Sequence, residues 1–529
     1  MKISRYIIII ATSLAFTACL DTELEGDALT ASAKEETVAI NPERLEASVT
    51  AITTNFSVYG AVAGDDYHTD YGYGTIMLLL DSRGVDMMQE NTGYNWYSYA
   101  LTYDDIDYTY TDNRLIWQTF YNQISSANSV CSTVDAETED ATLQGYLAQA
   151  LAIRAYDYFK LVQIYQKTYA QIDPTTALGV PVITEDNIDD AAANGCPRAT
   201  VETVYAQILD DLERAIALLE ESGYTRSDKR YVDLATAHAI RAQVYLVMQN
   251  YSAALEDANF AIENSECQPY SISDVSKPTF AYLTDDSWLW GIKIEETDDV
   301  VETGICNFPS HMGSLNYGYA SVGAWRCINI KLYNSIPSTD IRKGWFLDAD
   351  CLSDNLSDEQ QQYVFDYGLP AYCQVKFAPY NDELYTAVNA NDIPLIRIEE
   401  MYMVKAECEA MSGNASQGAQ TLQSFVQTYR DPSYSLSSTS AEDVQEAVFQ
   451  QRRIEFYGEG VIWYDYIRLN KDFDRRGGGF ETNYCFNIPA GDNCLIWRIP
   501  YYEVQYNPQI SDDQNNPVAS IPSPVADEE

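Results

Sequence analysis

The sequence is poor in histidine and in basic residues. Only three histidines occur among 529 residues, and 32 lysines and arginines stand against 79 aspartates and glutamates, for a net charge of −47. Nucleic acids are bound through clustered positive charge, so this balance disfavours nucleic acid and anionic lipid headgroups as ligands. No HExxH zinc motif, phosphate-binding loop or nucleophile elbow is present. Carboxylates are so numerous that a pair suited to glycoside hydrolysis carries no information. We therefore predict a protein without catalytic activity.

Long apolar runs are lacking beyond the first residues. The run from Tyr6 to Ala18 follows a short basic start and is too short to span a bilayer. It ends in small residues before Cys19, which resembles the lipobox of bacterial lipoproteins. We expect residues 1–18 to be a signal peptide, Cys19 to be lipidated, and residues 19–40 to form a flexible, acidic tether. The alternative is ordinary secretion with cleavage nearby.

Besides Cys19 the chain has ten cysteines, an even number in a protein that is expected to leave the cytoplasm. Cys485 and Cys494 are close enough in sequence to close a loop, and Cys351 and Cys373 could do the same. The spacings show no zinc pattern. Disulfides and buried free thiols are equally compatible with the sequence, because free cysteines also pack well in a core.

Helical periodicity dominates the middle and the C-terminal half of the chain. Small residues between Ala235 and Asn264 fall at tetratricopeptide spacings and predict a pair of closely packed helices. The segment from Leu143 to Gln166 is expected to pair with the helical pattern over 201–222. Further pairs are predicted from Glu399 to Tyr429, with a break at Gly413-Asn414, and from Ala441 to Arg468. Helix pairs of this kind must stack, because none can bury its apolar face alone.

The segments between these helices have a different composition, rich in glycine, tyrosine, asparagine and aspartate. The stretch from Ser287 to Glu296 alternates apolar and polar residues and predicts a short strand. The predicted fold is therefore mostly α, a tetratricopeptide-like scaffold of helix pairs with long loop insertions and a few short strands. We expect a single domain over 41–529. Its helical repeats are predicted at roughly 116–265 and 395–470, and its loop insertions at roughly 60–115 and 270–390.

Several segments, taken in order, carry a family resemblance. They are "DYGYGTIMLLLDSRGVDMM", "IRAYDYFKLVQIYQ" followed by "ALGVPVITE", "LIRIEEMYMVKAECEA", "QQRRIEFYGEGVIWYDYIRLNK" and "IPYYEVQYNP". In order and spacing the chain resembles the SusD/RagB family of bacterial surface lipoproteins. Departures are Gln451, where the family often has glutamate, and Val461 and Ile462, which replace a usual His-Arg pair.

The resemblance implies a glycan-binding protein on the outer surface of the outer membrane. It would capture oligosaccharides and act as the lid of a SusC-like TonB-dependent β-barrel transporter. Some relatives capture peptides, so a peptide-binding importer subunit is an alternative function. A repeat scaffold that holds only other proteins is another.

The stretch from Asn91 to Asn113 supplies the first predicted ligand contacts. It places six tyrosines and a tryptophan among polar residues. Sugars offer apolar C–H faces and hydroxyl rims, to which aromatic rings and polar side chains are suited. Trp96 with Tyr94, Tyr97 and Tyr99 is the predicted stacking platform, and Asn95 is its polar partner. The alternative is that these rings only pack the loop onto the scaffold.

The resemblance adds a second set of predicted contacts. Arg83 matches a region that supplies a sugar-contacting arginine in relatives, with an ion pair to a nearby aspartate as the alternative. The loop from Phe308 to Trp325 matches an interval that carries ligand aromatics, and its glycines let the rings of Tyr317, Tyr319 and Trp325 stand clear of the backbone. Burial against the scaffold is the alternative for these three.

The acidic run from Asp104 to Asp112 is the one candidate for a structural metal. Its oxygens could hold Ca²⁺, but it lacks the glycine and the terminal glutamate of an EF-hand loop. A solvated face is therefore favoured, and no cofactor is predicted.

Overall fold

A computed structural model describes residues 42–64, 67–437 and 440–527 of the chain. The predicted signal peptide, the tether and Cys19 lie outside the described residues. The α-helices of the described part are α1 (Pro42–Thr54), α2 (Tyr73–Arg83), α3 (Ser98–Thr102), α4 (Thr111–Cys131), α5 (Ala141–Tyr165), α6 (Ile188–Asn194), α7 (Val201–Ser222), α8 (Leu234–Val247), α9 (Tyr251–Asn264), α10 (Asp299–Glu302), α11 (Phe308–Met312), α12 (Ile330–Ser335), α13 (Asp358–Tyr367), α14 (Ile398–Glu409), α15 (Ala415–Tyr429), α16 (Ala441–Glu455), α17 (Ile462–Arg468) and α18 (Tyr501–Tyr506).

The long helices stack in a row. Helix α5 packs between α4 and α7, α8 packs against α7 and α9, α9 packs against α14, and α14 packs against α15 and α16. These contacts confirm the predicted helix pairs and the mostly α, tetratricopeptide-like fold. Side-chain caps begin several of these helices, among them Asp140 for α5 and Thr200 for α7, because the first amides of a helix lack partners within it.

Helix α5 forms the centre of the first half of the scaffold. Nearly all of its residues from Gln144 onward are buried, since it is covered by neighbouring helices on more than one side. Its buried Arg154 pairs with Asp211 of α7 at 2.6 Å, which joins the two helices. Although α5 is 25 residues long, neither it nor any other helix of the described part is long and apolar enough to cross a bilayer.

The second half of the scaffold contains the predicted break near Gly413. This glycine adopts a φ of 94°, in the left-handed region that other residues rarely occupy, and it separates α14 from α15. Beyond the break, Gly418 lies against α14 so closely that a Cβ there would be 2.4 Å from the carbonyl oxygen of Ala406. The two helices can approach this closely only with a glycine at this position.

Three two-stranded antiparallel sheets lie between the helices of the described residues. The strands of the described part pair as β1 (Met87–Met88) with β3 (Cys327–Ile328), β2 (Trp288–Ile292) with β4 (Ile393–Arg397), and β5 (Phe473–Asp474) with β6 (Asn487–Ile488). Strand β2 confirms the strand predicted near Trp288. Because β4 runs directly into α14, its pairing with β2 fastens both ends of the long insertion to the helical scaffold.

Two apolar cores support the part of the chain that the structure describes. The larger core runs through the helix stack, and a smaller one lies inside the insertion between β2 and β4. The smaller core is built from Leu315, Leu347, Val364, Leu369 and Val375, among others. It gives the loops of the insertion their own support, separate from the helix stack.

A buried ionic network joins the segments that carry the family resemblance. The carboxylate of Glu455, at the end of α16, accepts hydrogen bonds from Arg397 at 3.0 Å, from Arg430 at 2.7 Å and from Arg342 at 3.3 Å. Burial opposes ionisation of Glu455, but the three guanidinium groups outweigh it and hold its pKa well below the ordinary value. Gln451, one of the departures from the family pattern, accepts a hydrogen bond from Arg342.

The ten cysteines of the described part are all free thiols, and most of them are buried. Neither of the two disulfides considered from the sequence forms. Cys373 faces Cys327 across an antiparallel bridge rather than Cys351, and its sulfur lies 3.3 Å from the hydroxyl of Ser314. Packing, the alternative role considered for these cysteines, is therefore what the structure shows.

Candidate ligand-binding site

The loop that carries Trp96 is organised around buried polar groups. Asn95 donates from Nδ2 to Gln89 at 3.1 Å and to the carbonyl of Glu90 at 2.9 Å, and its Oδ1 accepts from the amide of Tyr97 at 3.2 Å. The same Oδ1 accepts from the buried guanidinium of Arg326 at 3.1 Å. These bonds leave Asn95 enclosed and fix the backbone on both sides of Trp96.

Trp96 itself lies at the surface, with 39% of its side chain exposed. One face of the indole is stacked on the half-buried imidazole of His68, with ring centroids 4.4 Å apart and planes 18° apart. The ring of Tyr319 meets the indole edge-on at 6.4 Å, and the hydroxyl of Tyr319 is hydrogen-bonded to His68 Nδ1. Trp96 is thus supported from behind and from the side, which leaves an aromatic surface open to solvent.

A second aromatic layer lies beneath this group. The buried ring of His311 is stacked on Tyr319 at 4.6 Å and on Tyr71 at 5.5 Å, and Tyr97 meets it edge-on at 5.3 Å. Burial and the nearby positive charge of Arg326 hold the pKa of His311 well below its ordinary value, so this ring is neutral. Its Nε2 donates to the backbone carbonyl of His68 at 3.2 Å. The two layers together make a stiff aromatic base.

Arg326 ties the two candidate loops together. Its Nη1 donates to Gln89 and Asn95, at the start of the first loop (around Asn91 to Asn113). Its Nε donates to the carbonyl of His311 at 2.8 Å, in the second loop (Phe308 to Trp325). The side chain is completely buried, and burial lowers its pKa. The relative position of the two loops is therefore set by a desolvated charge whose hydrogen bonds connect them.

Three of the residues predicted to contact ligand are enclosed within the protein. Arg83 is buried, pairs with Asp105, and donates to the carbonyl of Cys494 at 2.8 Å. Tyr97 is buried with its hydroxyl on Tyr71, and Asn95 is bonded as described above. Because all three side chains are buried and hydrogen-bonded inside the fold, they support the loops rather than face solvent.

The other predicted residues divide by exposure. Tyr94 is exposed, and its ring lies beside Gly323 of the second loop. Tyr317 is also exposed, whereas Tyr319 is largely buried and presents its hydroxyl to His68. Trp325 is half-buried and packs against the smaller core. The predicted residues whose rings face solvent most openly are therefore Tyr94, Tyr99, Trp96 and Tyr317.

Sequence reasoning missed His68 and three tyrosines near this site, Tyr363, Tyr367 and Tyr385. His68 belongs to the segment that precedes α2, 28 residues before Trp96, so only the folded arrangement shows the contact between the two rings. Tyr385, whose ring lies 5.0 Å from that of Tyr317, follows a long irregular stretch. A local signal existed only for Tyr363 and Tyr367, which are four residues apart and therefore neighbours on one face of α13.

The described residues contain no cluster of three or more histidine, cysteine, aspartate or glutamate side chains suited to a metal ion. In the acidic run considered for Ca²⁺, Asp105 is paired with Arg83 and Asp107 bonds the hydroxyl of Thr109 at 2.8 Å. Asp112 accepts from Tyr67 at 3.4 Å, and burial raises its pKa to about 7. These carboxylates are directed to separate partners.

Comparison with known proteins places the chain among relatives of one kind. A family model described as "Starch-binding associating with outer membrane" (SusD-like) matches residues 53–246, and the SusD family model matches residues 358–518. The SusD-like protein P2 of Formosa agariphila is 22% identical over 412 residues, which cover 72% of this chain and 78% of that protein.

Solved structures share the fold. A SusD-like carbohydrate binding protein from Bacteroides vulgatus superposes with a TM-score of 0.73 at 20% identity, covering 89% of this chain and 97% of that one. Surface glycan-binding protein A from Bacteroides thetaiotaomicron, solved in complex with laminarihexaose, gives a TM-score of 0.64 at 15% identity, covering 88% and 98%. These similarities show that the fold is shared. The two family models together match about two thirds of the residues, and the chain belongs to the SusD/RagB family.

Proposed function

We propose that this protein binds carbohydrate on the outer surface of the bacterial outer membrane, with Trp96 as its central stacking residue, and that it does so without catalysis. The observation that carries the proposal is the exposed indole of Trp96, held flat by His68 and Tyr319. A sugar ring can lay its apolar C–H face on such an indole, while hydroxyl groups at the rim reach polar atoms and water.

The neighbouring rings extend this surface. Tyr94 and Tyr317 are exposed in the two loops that Arg326 joins, and we propose them as further contacts. In the proposal, Tyr319 and Trp325 support the platform from below, and Arg83, Asn95 and Tyr97 hold its loops. Contacts through a few rings suit single oligosaccharides bound in about the millimolar to micromolar range.

Affinity electrophoresis in native gels that contain polysaccharide tests the proposal. Soluble starch and laminarin are the first probes, because the matched family model and a structural neighbour are described with these glucan types. We expect retardation of the wild-type chain by at least one probe, and at least about tenfold weaker binding by Trp96→Ala. Tyr506→Ala is the matched control, since Tyr506 is an exposed ring on α18, outside this site.

Two results would contradict the proposal. One is wild-type mobility that no member of a broad polysaccharide panel changes. The other is equal binding by Trp96→Ala and the wild type, with circular dichroism showing both folded. Binding of peptides in place of glycans in the same assay would favour the peptide-importer alternative, and binding of neither would favour a protein-binding scaffold.

We further propose that the protein is anchored through a lipid on Cys19 and acts as the lid of a SusC-like TonB-dependent β-barrel, to which it delivers oligosaccharide. The family model's description associates such proteins with the outer membrane, which supports this location. Affinity purification of the tagged chain from detergent-solubilised outer membranes is expected to recover a β-barrel transporter. Cys19→Ser is expected to release the chain into the soluble fraction. If either experiment failed, the proposed anchoring or partnership would be contradicted, but the proposal of carbohydrate binding would not.

A further inference from the structure

Four tyrosines of the long insertion form a chain of pairwise ring contacts, called here the tyrosine column. They are Tyr317, Tyr385, Tyr367 and Tyr363. Tyr363 and Tyr367 on α13 are 4.4 Å apart with planes 30° apart, and Tyr367 and Tyr385 are 4.4 Å apart with planes 31° apart. Tyr317 meets Tyr385 edge-on at 5.0 Å. Tyr363 also lies 6.3 Å from Tyr385, with planes 55° apart, so these three rings are grouped around Tyr367 and tilted against one another. Their edges together form an aromatic surface.

The column is anchored at one end and open at the other. Tyr363 is buried over the smaller core, and its hydroxyl donates to the carbonyl of Ser314 at 3.2 Å. Tyr367 is 40% exposed and Tyr317 is 38% exposed, while Tyr385 is half-buried. Tyr385 also packs against the smaller core, whereas Tyr367 and Tyr317 extend the group of rings outward into solvent.

The backbone holds these rings in register. The amide of Tyr317 donates to the carbonyl of Thr386 at 3.1 Å, and the amide of Tyr385 donates to the carbonyl of Leu315 at 2.9 Å. Tyr385 adopts a φ of 59°, in the left-handed region that bulky residues rarely occupy. Backbone conformations of this kind persist where the surrounding structure enforces them, and they are frequent at binding sites.

The column continues from the Trp96 platform. Tyr317 is two residues before Tyr319, whose ring touches Trp96, and a two-residue step spans at most about 7 Å of backbone. Between them, Gly318 is pressed against α11, since a Cβ there would lie 2.5 Å from the Cα of Ser310. A chain of aromatic contacts, interrupted only by this short backbone step, thus leads from Trp96 to Tyr367.

We infer that the outer rings of the tyrosine column, those of Tyr317, Tyr385 and Tyr367, form a second carbohydrate-stacking site. The inferred ligand is a neutral oligosaccharide long enough to contact Trp96 and these rings together. The inference rests on the proposed function. A net charge of −47 repels chains of uronic acids or sulfated sugars, whereas it does not oppose neutral chains. Two stacking sites joined on one surface favour longer segments, because the second contact forms at high effective concentration.

The test compares chain lengths by isothermal titration calorimetry. The probes are the laminari- or malto-oligosaccharides of three and seven units, chosen by which parent polysaccharide retards the wild-type chain. We expect Tyr367→Ala to weaken binding of the heptasaccharide about three- to tenfold and to leave the trisaccharide unchanged. Trp96→Ala is expected to weaken binding of both.

Phe365→Ala is the matched control, because Phe365 is 52% exposed on the same helix and makes no ring contact with the column among those found in the described residues. We expect it to bind both oligosaccharides like the wild type, and we expect circular dichroism to show all three variants folded.

The outcomes separate the inference from the function on which it rests. If Tyr367→Ala binds the heptasaccharide like the wild type while Trp96→Ala does not, the second site is refuted and carbohydrate binding stands. If Phe365→Ala loses as much affinity as Tyr367→Ala, the effect belongs to helix α13 as a whole, and the inference also fails. If neither the wild type nor any variant binds a glucan, the proposed function and this inference fall together.

Discussion

The imidazole of His68 lies flat against the indole of Trp96, with ring centroids 4.4 Å apart. Stacking on the inner face restricts the indole to one orientation, so the outer face is available to a ligand without reordering of the side chain. The hydroxyl of Tyr319 in turn holds the imidazole. Binding strength at Trp96 is therefore expected to depend on a residue that a ligand on the outer face does not touch.

Replacement of His68 tests this dependence. His68→Ala removes one aromatic contact, which is typically worth about 0.5–1.5 kcal/mol, so we expect about two- to twelvefold weaker binding of polysaccharide in affinity gels. His238→Ala is the control, because His238 is likewise stacked on a ring, Phe260 at 3.8 Å, but in the helical repeat. Equal affinities of His68→Ala and the wild type, or an equal loss in the control, would show that the stacking does not prepare the site.

The network around Glu455 predicts a large effect on stability. Glu455→Gln removes the charge that three buried guanidinium groups share, and we expect a loss of about 3–5 kcal/mol in the free energy of unfolding measured with urea. Asp474→Asn disrupts the partly exposed pair with Arg476 and is expected to cost only about 0–1 kcal/mol. Similar costs in the two variants would mean that the buried network contributes no more than a surface pair.

Asp81 predicts how stability depends on pH. Burial raises its pKa to about 7, although the amide of Gly460 donates to it at 3.1 Å. In the unfolded chain this carboxyl ionises near pH 4, so the unfolded state gains relative stability as the pH rises from about 4 to about 7. Above that range the penalty is constant, at about 4 kcal/mol for a difference of about three pH units.

Asp81→Asn removes this penalty. We expect the free energy of unfolding of the wild type to fall relative to that of the variant between pH 4 and pH 7, with the variant more stable at pH 8. Asp474→Asn is a control of opposite sign, because Arg476 holds the pKa of Asp474 below its ordinary value and the ionised form is the stabilised one. Parallel stability profiles for the wild type and Asp81→Asn would contradict a raised pKa in the folded state.

The cysteines allow a direct chemical test. We expect alkylation in denaturant to label the ten cysteines between Cys131 and Cys494 to the same extent with and without prior reduction, because all ten are free thiols. Intact-mass spectrometry measures the number of labels. Two fewer labels without reductant would contradict this expectation. The pair to examine first would be Cys327 and Cys373, which lie opposite each other in an antiparallel bridge.

The helix stack could be predicted from the sequence because its signals are local. Apolar periodicity and small residues predicted the pair that ends at Asn264, and α9 ends at that residue. The break between α14 and α15 was likewise predicted from Gly413, whose positive φ is a local property. Short-range spacing sufficed for these elements, since each helix pair is formed by neighbouring segments.

The binding surface could be predicted only in part. Arg83 has Asp81 and Asp86 nearby in sequence, but Asp81 accepts from Gly460 and Asp86 pairs with Arg453. The partner of Arg83 is instead Asp105, 22 residues away. Such pairings depend on how distant segments meet, which composition and spacing do not determine. For the same reason, nothing near His68 in the sequence indicated its stacking on Trp96.

The buried guanidinium of Arg326 has a consequence for selectivity. Arg326 connects both loops in the absence of ligand. The fold therefore fixes the orientation of the Trp96 indole relative to the tyrosines of the insertion, and the ligand does not induce it. A surface of fixed curvature favours polymers whose natural bend matches it and penalises those that must be straightened or coiled. Discrimination among glucans is therefore expected to follow backbone shape, with coiled and extended polymers of the same sugar separated by their geometry alone.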